Sequence, residues 1–188
     1  MNEDRLELLL DELERWNRKV NLTAVRDRAQ MRLLHIADSL AARPLLEGSS
    51  ILDVGTGPGF PGLPLAISEP DREFTLIDSN NKKIMFVEHA VRVLGLDNVT
   101  AVKSRGEDYA PGRRFDTVIA RALASTPKLV EIAGHHVGEG GVFVALKGRH
   151  PADEIEELPA PWSFEVLQLD VPGLETGSRH AVLLRRAT

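Results

Sequence analysis

The stretch Asp53-Val54-Gly55-Thr56-Gly57-Pro58-Gly59-Phe60-Pro61-Gly62 does more than any other to limit the folds open to this chain. It follows the short β-type run Ser50-Ile51-Leu52, and glycines so placed let backbone amides turn tightly and approach a ligand beyond the carboxyl end of a strand. A second β-type run over 73–78 ends in Asp78, 23 residues after Gly55. A carboxylate at that place can accept both hydroxyls of an adenosine ribose. The nicotinamide dinucleotide fingerprint, Gly-x-Gly-x-x-Gly, asks for glycine at position 60, which here is Phe60. A pyrophosphate ligand is therefore disfavoured.

Around this loop the hydrophobic period alternates. Leu6, Leu9, Leu10, Leu13, Trp16 and Val20 recur at helical spacing and predict an amphipathic helix over 6–20. A second helix is expected over 29–42, closed before Pro44, and a third over 80–94, capped by Ser79 or Asn80 and stopped by Gly95. Strands are expected over 98–102, 115–120 and 142–146, with a helix over 126–137. Strands alternating with helices predict a parallel sheet covered on both faces. The last β-type runs, 164–171 and 181–186, are joined through Pro172-Gly173 and Gly177 with no room for a crossover helix. That ending predicts an antiparallel terminal hairpin. The expected organisation is an N-terminal helical extension over 1–46 and one α/β domain over 47–188.

With 188 residues, 43% of them hydrophobic, the chain can bury a core without bridges or metals. It has no cysteine, which excludes a disulfide framework, a cysteine-ligated metal and a thiolate nucleophile. His35 stands apart from other ligating side chains, so no metal site is expected. The first thirteen residues hold five acids and one Arg, unlike a signal or transit peptide, and no apolar run approaches the roughly 20 residues that span a bilayer. A cytoplasmic monomer without a membrane partner is expected.

The net charge of −5 is unevenly spread. Residues 15–43 carry seven basic and two acidic side chains, whereas residues 151–175 carry seven acids and no Lys or Arg, so outside that segment the chain is at +2. A basic face can meet a polyanion on an acidic protein, because the field near a phosphate is set within roughly 8–10 Å. The same residues also suit a solvated helix pair.

The acid before the end of the first strand, the glycine loop, the second acid and the terminal hairpin resemble the class I S-adenosylmethionine-dependent methyltransferase fold, a Rossmann-like α/β architecture. A sulfonium cation gains from a carboxylate such as Asp53, where a dinucleotide would gain from the opposite charge. Methylation at pyrimidine C5 generally needs a cysteine, which is absent. Exocyclic amines usually call for Asn or Asp before Pro-Pro and an aromatic after the fourth strand, where this chain has Ala120-Arg121-Ala122-Leu123. A guanine N7, oxygen acceptors and small molecules remain. An N7 has no proton to lose, so alignment alone supplies most of the rate.

Trp16-Asn17-Arg18-Lys19-Val20-Asn21-Leu22-Thr23, His35-Ile36-Ala37-Asp38-Ser39-Leu40, the glycine loop, Leu76-Ile77-Asp78-Ser79 with Lys82-Lys83, Arg121-Ala122 and Lys147-Gly148 together resemble the bacterial RsmG family, also called GidB. The resemblance implies methyl transfer from S-adenosylmethionine to N7 of a guanine in the 530 loop of 16S ribosomal RNA, guanine 527 in the usual rRNA numbering. It implies cofactor contacts at Gly55, Phe60, Gly106, Glu107 and Arg121, to which the loop chemistry adds Asp53, Gly57, Gly59 and Asp78. Arg18, Lys19, Arg26, Arg105, Lys147 and Arg179 are the RNA-binding candidates, and Asn21, His35, Arg121 and Lys147 the positioning candidates.

Alternatives stand beside several of these. Asn21 and Thr23 also suit a helix cap, His35 a hydrogen-bonded structural role, and Trp16 core packing. Arg121 is unfavourable near a sulfonium unless it pairs with the methionine carboxylate or an intervening acid. The chain begins near the second helical stretch common in the family, which puts its substrate-side cap in question. The expected partner is 16S ribosomal RNA within the small subunit or an assembly intermediate. A methyltransferase of small molecules or proteins and a non-catalytic RNA-binding module are the competing possibilities.

Overall fold

The computed structural model describes residues 2–155 and 158–186. Seven strands form one sheet in the order β3-β2-β1-β4-β5-β7-β6. They are β1 (Ser50–Val54), β2 (Glu73–Asp78), β3 (Val99–Lys103), β4 (Phe115–Arg121), β5 (Val137–Lys147), β6 (Trp162–Leu169) and β7 (Arg179–Arg186). The first five are parallel, and β7 runs antiparallel between β5 and β6. The chain moves outward from β1 through β2 to β3, then returns to the other side of β1 as β4. That reversal opens a crevice at the carboxyl ends of β1 and β4, where open α/β sheets take their ligands.

Both faces are covered, which is why the central strands read as continuous apolar runs rather than alternating ones. Helices α1 (Asn2–Asn17), α4 (Gly62–Ser68) and α5 (Asn81–Leu94) lie on one face. Leu9, Leu10 and Leu13 of α1 share a buried cluster with Phe86 and Val87 of α5 and with Ile51, Phe74 and Val144 of the sheet. On the other face α6 (Thr126–Ala133) packs Leu129, Val130 and Ala133 against Leu52, Val54, Val118 and Phe143. Trp16 meets Phe86 edge-on with ring centroids 5.6 Å apart, so it serves packing between α1 and α5.

Several boundaries differ from the hydrophobic pattern for local reasons. Helix α1 ends at Asn17, short of Val20, because the Asn17 side chain accepts the amides of Leu22 (2.8 Å) and Thr23 (3.0 Å) and turns the chain aside. Helix α5, by contrast, has the expected cap and stop: Asn80 accepts from the amides of Lys82 and Lys83 to start it, and Gly95, with φ 61°, ends it. Helix α6 stops at Ala133, where a side chain at Gly134 would meet the Trp162 ring at 2.8 Å. Strand β5 then begins at Val137, five residues earlier than expected, because Gly138 and Gly141 let its first half lie against the β4 backbone.

The expected second helix is three pieces: α2 (Arg28–Met31), a π-helical turn over Arg32–Ala37, and α3 (Asp38–Leu40). In the wide turn the amide of Asp38 donates to Leu33 O, five residues back. Such turns recur at functional sites because the extra residue re-aims side chains. Here Leu34, His35 and Asp38 all come to border one cavity. The short helix α7 (Ala152–Ile155) precedes the terminal hairpin.

Candidate functional site

A cleft of about 400 Å³ lies over the turn that follows β1. Its floor is Val54 and Gly55, and its walls include Asp78, Asn80, Arg105, Gly106, Glu107 and Leu123. The loop is tied to β2 at three points: the amides of Gly55 and Thr56 donate to Ile77 O, and that of Gly57 donates to Asp78 Oδ2 at 2.9 Å. Asp78 Oδ1 accepts the Asn80 amide at 2.7 Å, so the carboxylate is fixed at the rim. Gly57 has φ 61°, and nothing lies within 4 Å of where a Cβ would stand. At Gly106 a Cβ would meet Ile132 at 2.6 Å and Val54 at 3.0 Å, so only glycine lets this segment come so close to the floor.

Asp53 does not border the cleft. It is fully buried, and Oδ2 accepts from Thr56 Oγ1 (2.6 Å) and the Gly62 amide (2.9 Å), closing the loop onto the start of α4. Burial pushes its carboxyl up to about 6, against the lowering effect of those hydrogen bonds. Its side chain, expected near a sulfonium, lies in the core behind the loop and outside the cleft lining. Phe60 is also placed differently: its ring is 2% exposed and stacks under His35 at 4.8 Å, because the loop turns its bulkiest side chain into the core. Gly59, with φ 91°, is crossed by the Leu63 side chain behind the loop rather than facing the cleft.

A second cavity, about 320 Å³, opens at the carboxyl ends of β4 and β5. It brings His35, Arg121, Lys147 and Arg179 together, four residues far apart in sequence. Asp38 organises it: Oδ1 accepts Arg179 Nε at 2.6 Å and Oδ2 accepts Arg121 NH1 at 3.1 Å. This is the intervening acid that Arg121 requires, and Arg121 also donates to Leu34 O at 3.0 Å. Arg121 thus faces this basin rather than the cleft. His35 Nε2 lies 3.0 Å from Thr23 Oγ1. Burial, helped by the Arg121 charge, lowers the His35 imidazole to about 4, so it is neutral near pH 7.

Lys147 is not free for an RNA phosphate. Its Nζ donates to Ala124 O (2.9 Å) and Glu154 Oε2 (2.6 Å), and Glu154 also accepts from the Thr126 amide and hydroxyl at the start of α6. The acidic segment therefore supplies one carboxylate to the fold; Glu156 and Glu157 lie outside the described residues. Asn21 is exposed, accepts from Arg26 NH2 at 2.8 Å and borders neither cavity, because Asn17 has taken the backbone groups of that loop.

The basic stretch over 15–43 is largely neutralised within the fold. Arg28 pairs with Glu7, Asp11 and Glu14, Arg32 with Glu3 and Glu7, Arg15 with Glu12, and Arg43 with Glu69. Arg18, Lys19 and Arg26 are exposed and have no ion pair among the described residues, and the same holds of Arg105 at the cleft rim. Sequence spacing missed Asp38, Glu154 and His180. Of these only Asp38 carried a signal, lying three residues after His35 on a helix.

The sequence profile of the GidB family, rRNA small subunit methyltransferase G, matches residues 2–182. Ribosomal RNA small subunit methyltransferase G of Idiomarina loihiensis is 49% identical over 175 residues, 93% of this chain and 84% of that protein. That of Vibrio vulnificus is 47% identical over 191 residues, 99% of this chain and 90% of that protein. Among solved structures, the DhpI–SAH complex aligns over 100% of this chain and 97% of its own, with TM-score 0.65 and 18% identity. The ribosomal protein L11 methylase of Lactobacillus delbrueckii subsp. bulgaricus covers 81% of this chain and 77% of its own, with TM-score 0.61 and 16% identity. These likenesses establish the class I methyltransferase fold.

Proposed function

The chain belongs to the GidB family of rRNA small subunit methyltransferases, and from that premise we propose that it methylates N7 of a guanine in the 530 loop of 16S ribosomal RNA, guanine 527, using S-adenosylmethionine. The observation that carries the cofactor side is the pair of carboxylates, Asp78 and Glu107, on one cleft above the Gly55 turn.

The residues of the cleft fit S-adenosylmethionine. Asp78 is fixed at the rim, where it would accept ribose hydroxyls; Glu107 borders the same cleft, where it would accept from the adenine amine, and Gly106 lies at the same wall. When bound, the cofactor supplies a sulfonium-activated methyl group. Asp53 holds the loop in shape from behind through Thr56 and Gly62. A guanine N7 already presents its lone pair, so the protein's task is to orient the base, and no side chain has to remove a proton. The His35 ring at the basin, uncharged near pH 7, adds no positive charge beside a base that becomes cationic on methylation.

We assign Arg18, Lys19, Arg26 and Arg105 to the RNA backbone, since these cations are exposed and make no ion pair among the described residues. No helix among the described residues is long and apolar enough to cross a membrane. We take the protein to act as a cytoplasmic monomer on the small subunit or an assembly intermediate. Labelled methyl transfer to small subunits and to naked 16S RNA, from a strain lacking this gene, tests the proposal. Borohydride and aniline then cut the chain at 7-methylguanosine. One cut in the 530 loop is expected; methylation elsewhere, or none with cofactor bound, overturns it.

A further inference from the structure

The basin bordered by Asp38, Arg121 and Arg179 contains polar atoms that the fold leaves unused. Among the described residues four buried side-chain polar atoms have no hydrogen-bond partner, and two of them, His35 Nδ1 and His180 Nδ1, belong to residues of this one cavity. His180 is the more exceptional. It sits second in β7, opposite Lys147 of β5 and Gln168 of β6, and is 8% exposed. Among the described residues neither of its ring nitrogens makes a hydrogen bond; its ring neighbour is His150, edge-on at 5.2 Å. Native folds seldom leave a buried polar group unmet, because its desolvation is then uncompensated.

The rest of the basin states what would meet it. Leu34, Leu146 and Leu169 supply apolar wall, and polar side chains from four segments of the chain converge on it, a make-up that suits an organic ligand with polar edges. The basin also joins the cofactor cleft through one turn of chain: Arg121 and Ala122 border the basin, and Leu123 borders the cleft. Ala122 has φ 50°, a left-handed conformation that is uncommon outside glycine and concentrates at functional sites. A base in the basin would therefore lie beside the methyl donor. Burial lowers the imidazole pKa of both His35 and His180, and the nearby His150 adds to this at His180. Through the orphaned Nδ1, a neutral imidazole either donates to a base carbonyl or accepts from a base N–H, and the O6/N1–H edge of guanine presents both of these partners. It also adds no positive charge beside a base that becomes cationic on N7 methylation.

We propose that His180 is a specificity-determining residue for the acceptor, hydrogen-bonding the O6/N1–H edge of a guanine seated in this basin. The assignment rests on the guanine methyltransferase function proposed above, and the experiment separates the two. His180→Phe keeps a ring without hydrogen bonds, while His180→Asn and His180→Gln return an amide near the Nδ1 or the Nε2 position. With small subunits as substrate, His180→Phe should lower kcat/KM about tenfold or more, with the Kd for S-adenosylmethionine unchanged by calorimetry, and one of the amide variants should regain most of the loss. On the unmutated protein with S-adenosylhomocysteine, the His180 ring resonances should move on titration with guanosine monophosphate and not with adenosine monophosphate. Wild-type kcat/KM in His180→Phe, or ring resonances indifferent to the guanine nucleotide, overturns the role of His180 while leaving the enzyme an rRNA methyltransferase. Absence of rRNA methylation by the wild-type protein overturns both.

Discussion

Asp78 Oδ2 accepts the backbone amide of Gly57 at 2.9 Å, tying the end of β2 to the apex of the loop after β1. One carboxylate thus fixes the loop and remains at the rim of the cleft. Asp78→Ala should weaken S-adenosylmethionine binding by about 1.5–3 kcal/mol, the worth of a lost charge-assisted hydrogen bond. Gly57→Val should abolish binding, because the left-handed φ costs a side chain about 1–2 kcal/mol of backbone strain and the relieved loop would pull its amide away from Asp78. Calorimetry and a melting curve on each variant check this. Unchanged affinity in both would move the cofactor elsewhere.

The ion pairs of the N-terminal helices divide the basic residues into two groups that salt can tell apart. Arg28 and Arg32 are engaged by four acids of α1, whereas Arg18 and Lys19 have no ion pair among the described residues. A residue that neutralises a phosphate contributes about 0.7–0.9 to the slope of log affinity against log salt. Arg18→Ala and Lys19→Ala should each make that slope shallower by about this amount. Arg28→Ala should leave it unchanged and cost well under 1 kcal/mol per exposed pair in stability. Binding of 16S RNA at several salt concentrations is the measurement, and an equal slope change in Arg28→Ala would contradict the division.

The sheet was legible in the sequence because each buried strand is a short apolar run and each turn is marked by glycine or an acid. The terminal hairpin followed from the lack of room between 171 and 181. Of the cleft's lining, Gly55 and Asp78 were legible from the glycine loop and the end of the second strand, whereas Gly106 and Glu107 came from the family resemblance; parallel pairing brings these segments together. The basin was legible only as a set of separate residues. Its organiser, Asp38, is shared by cations 83 and 141 positions away, a relationship no local spacing encodes. The charge count over 15–43 suggested a basic face because it stopped at the segment boundary, while the compensating acids lie in the preceding helix. For Phe60 and Asp53 the pattern gives the position in the loop but not which side of it they face, and both side chains turn into the core.

Asp38 carries two guanidiniums on its two oxygens, with its own side chain 10% exposed. Replacing it leaves two positive charges in a partly buried site without their partner, which typically costs about 3 kcal/mol or more. Asp38→Asn should therefore lower stability by about that amount and reduce kcat on small subunits far more than it changes S-adenosylmethionine affinity, since Asp38 borders the basin and not the cleft. Urea unfolding, calorimetry and initial rates distinguish the terms. Loss of cofactor affinity in step with activity would show that the two cavities are not separate in function.

Two buried groups impose opposite pH dependences on stability. His35 is lowered from 6.5 to about 4 in the folded protein, chiefly by burial, so the unfolded chain takes up its proton first. Its contribution is complete above pH 6.5 and declines as pH falls toward 4. Asp53 is raised from 3.8 to about 6, also by burial, so the folded protein takes up its proton first. Its charged form opposes folding above pH 6, and stability is regained as pH falls from 6 to 3.8, by about 3 kcal/mol at one pKa unit per 1.36 kcal/mol. Asp53→Asn removes that gain. The stability of wild type relative to Asp53→Asn should rise as pH falls from 7 to 4, and wild type should resist acid better although it holds one more ionisable carboxyl. Urea unfolding at intervals across that range checks it; a constant difference between the two proteins would mean that Asp53 is ionised with an ordinary pKa, and that the loop it holds is open to water.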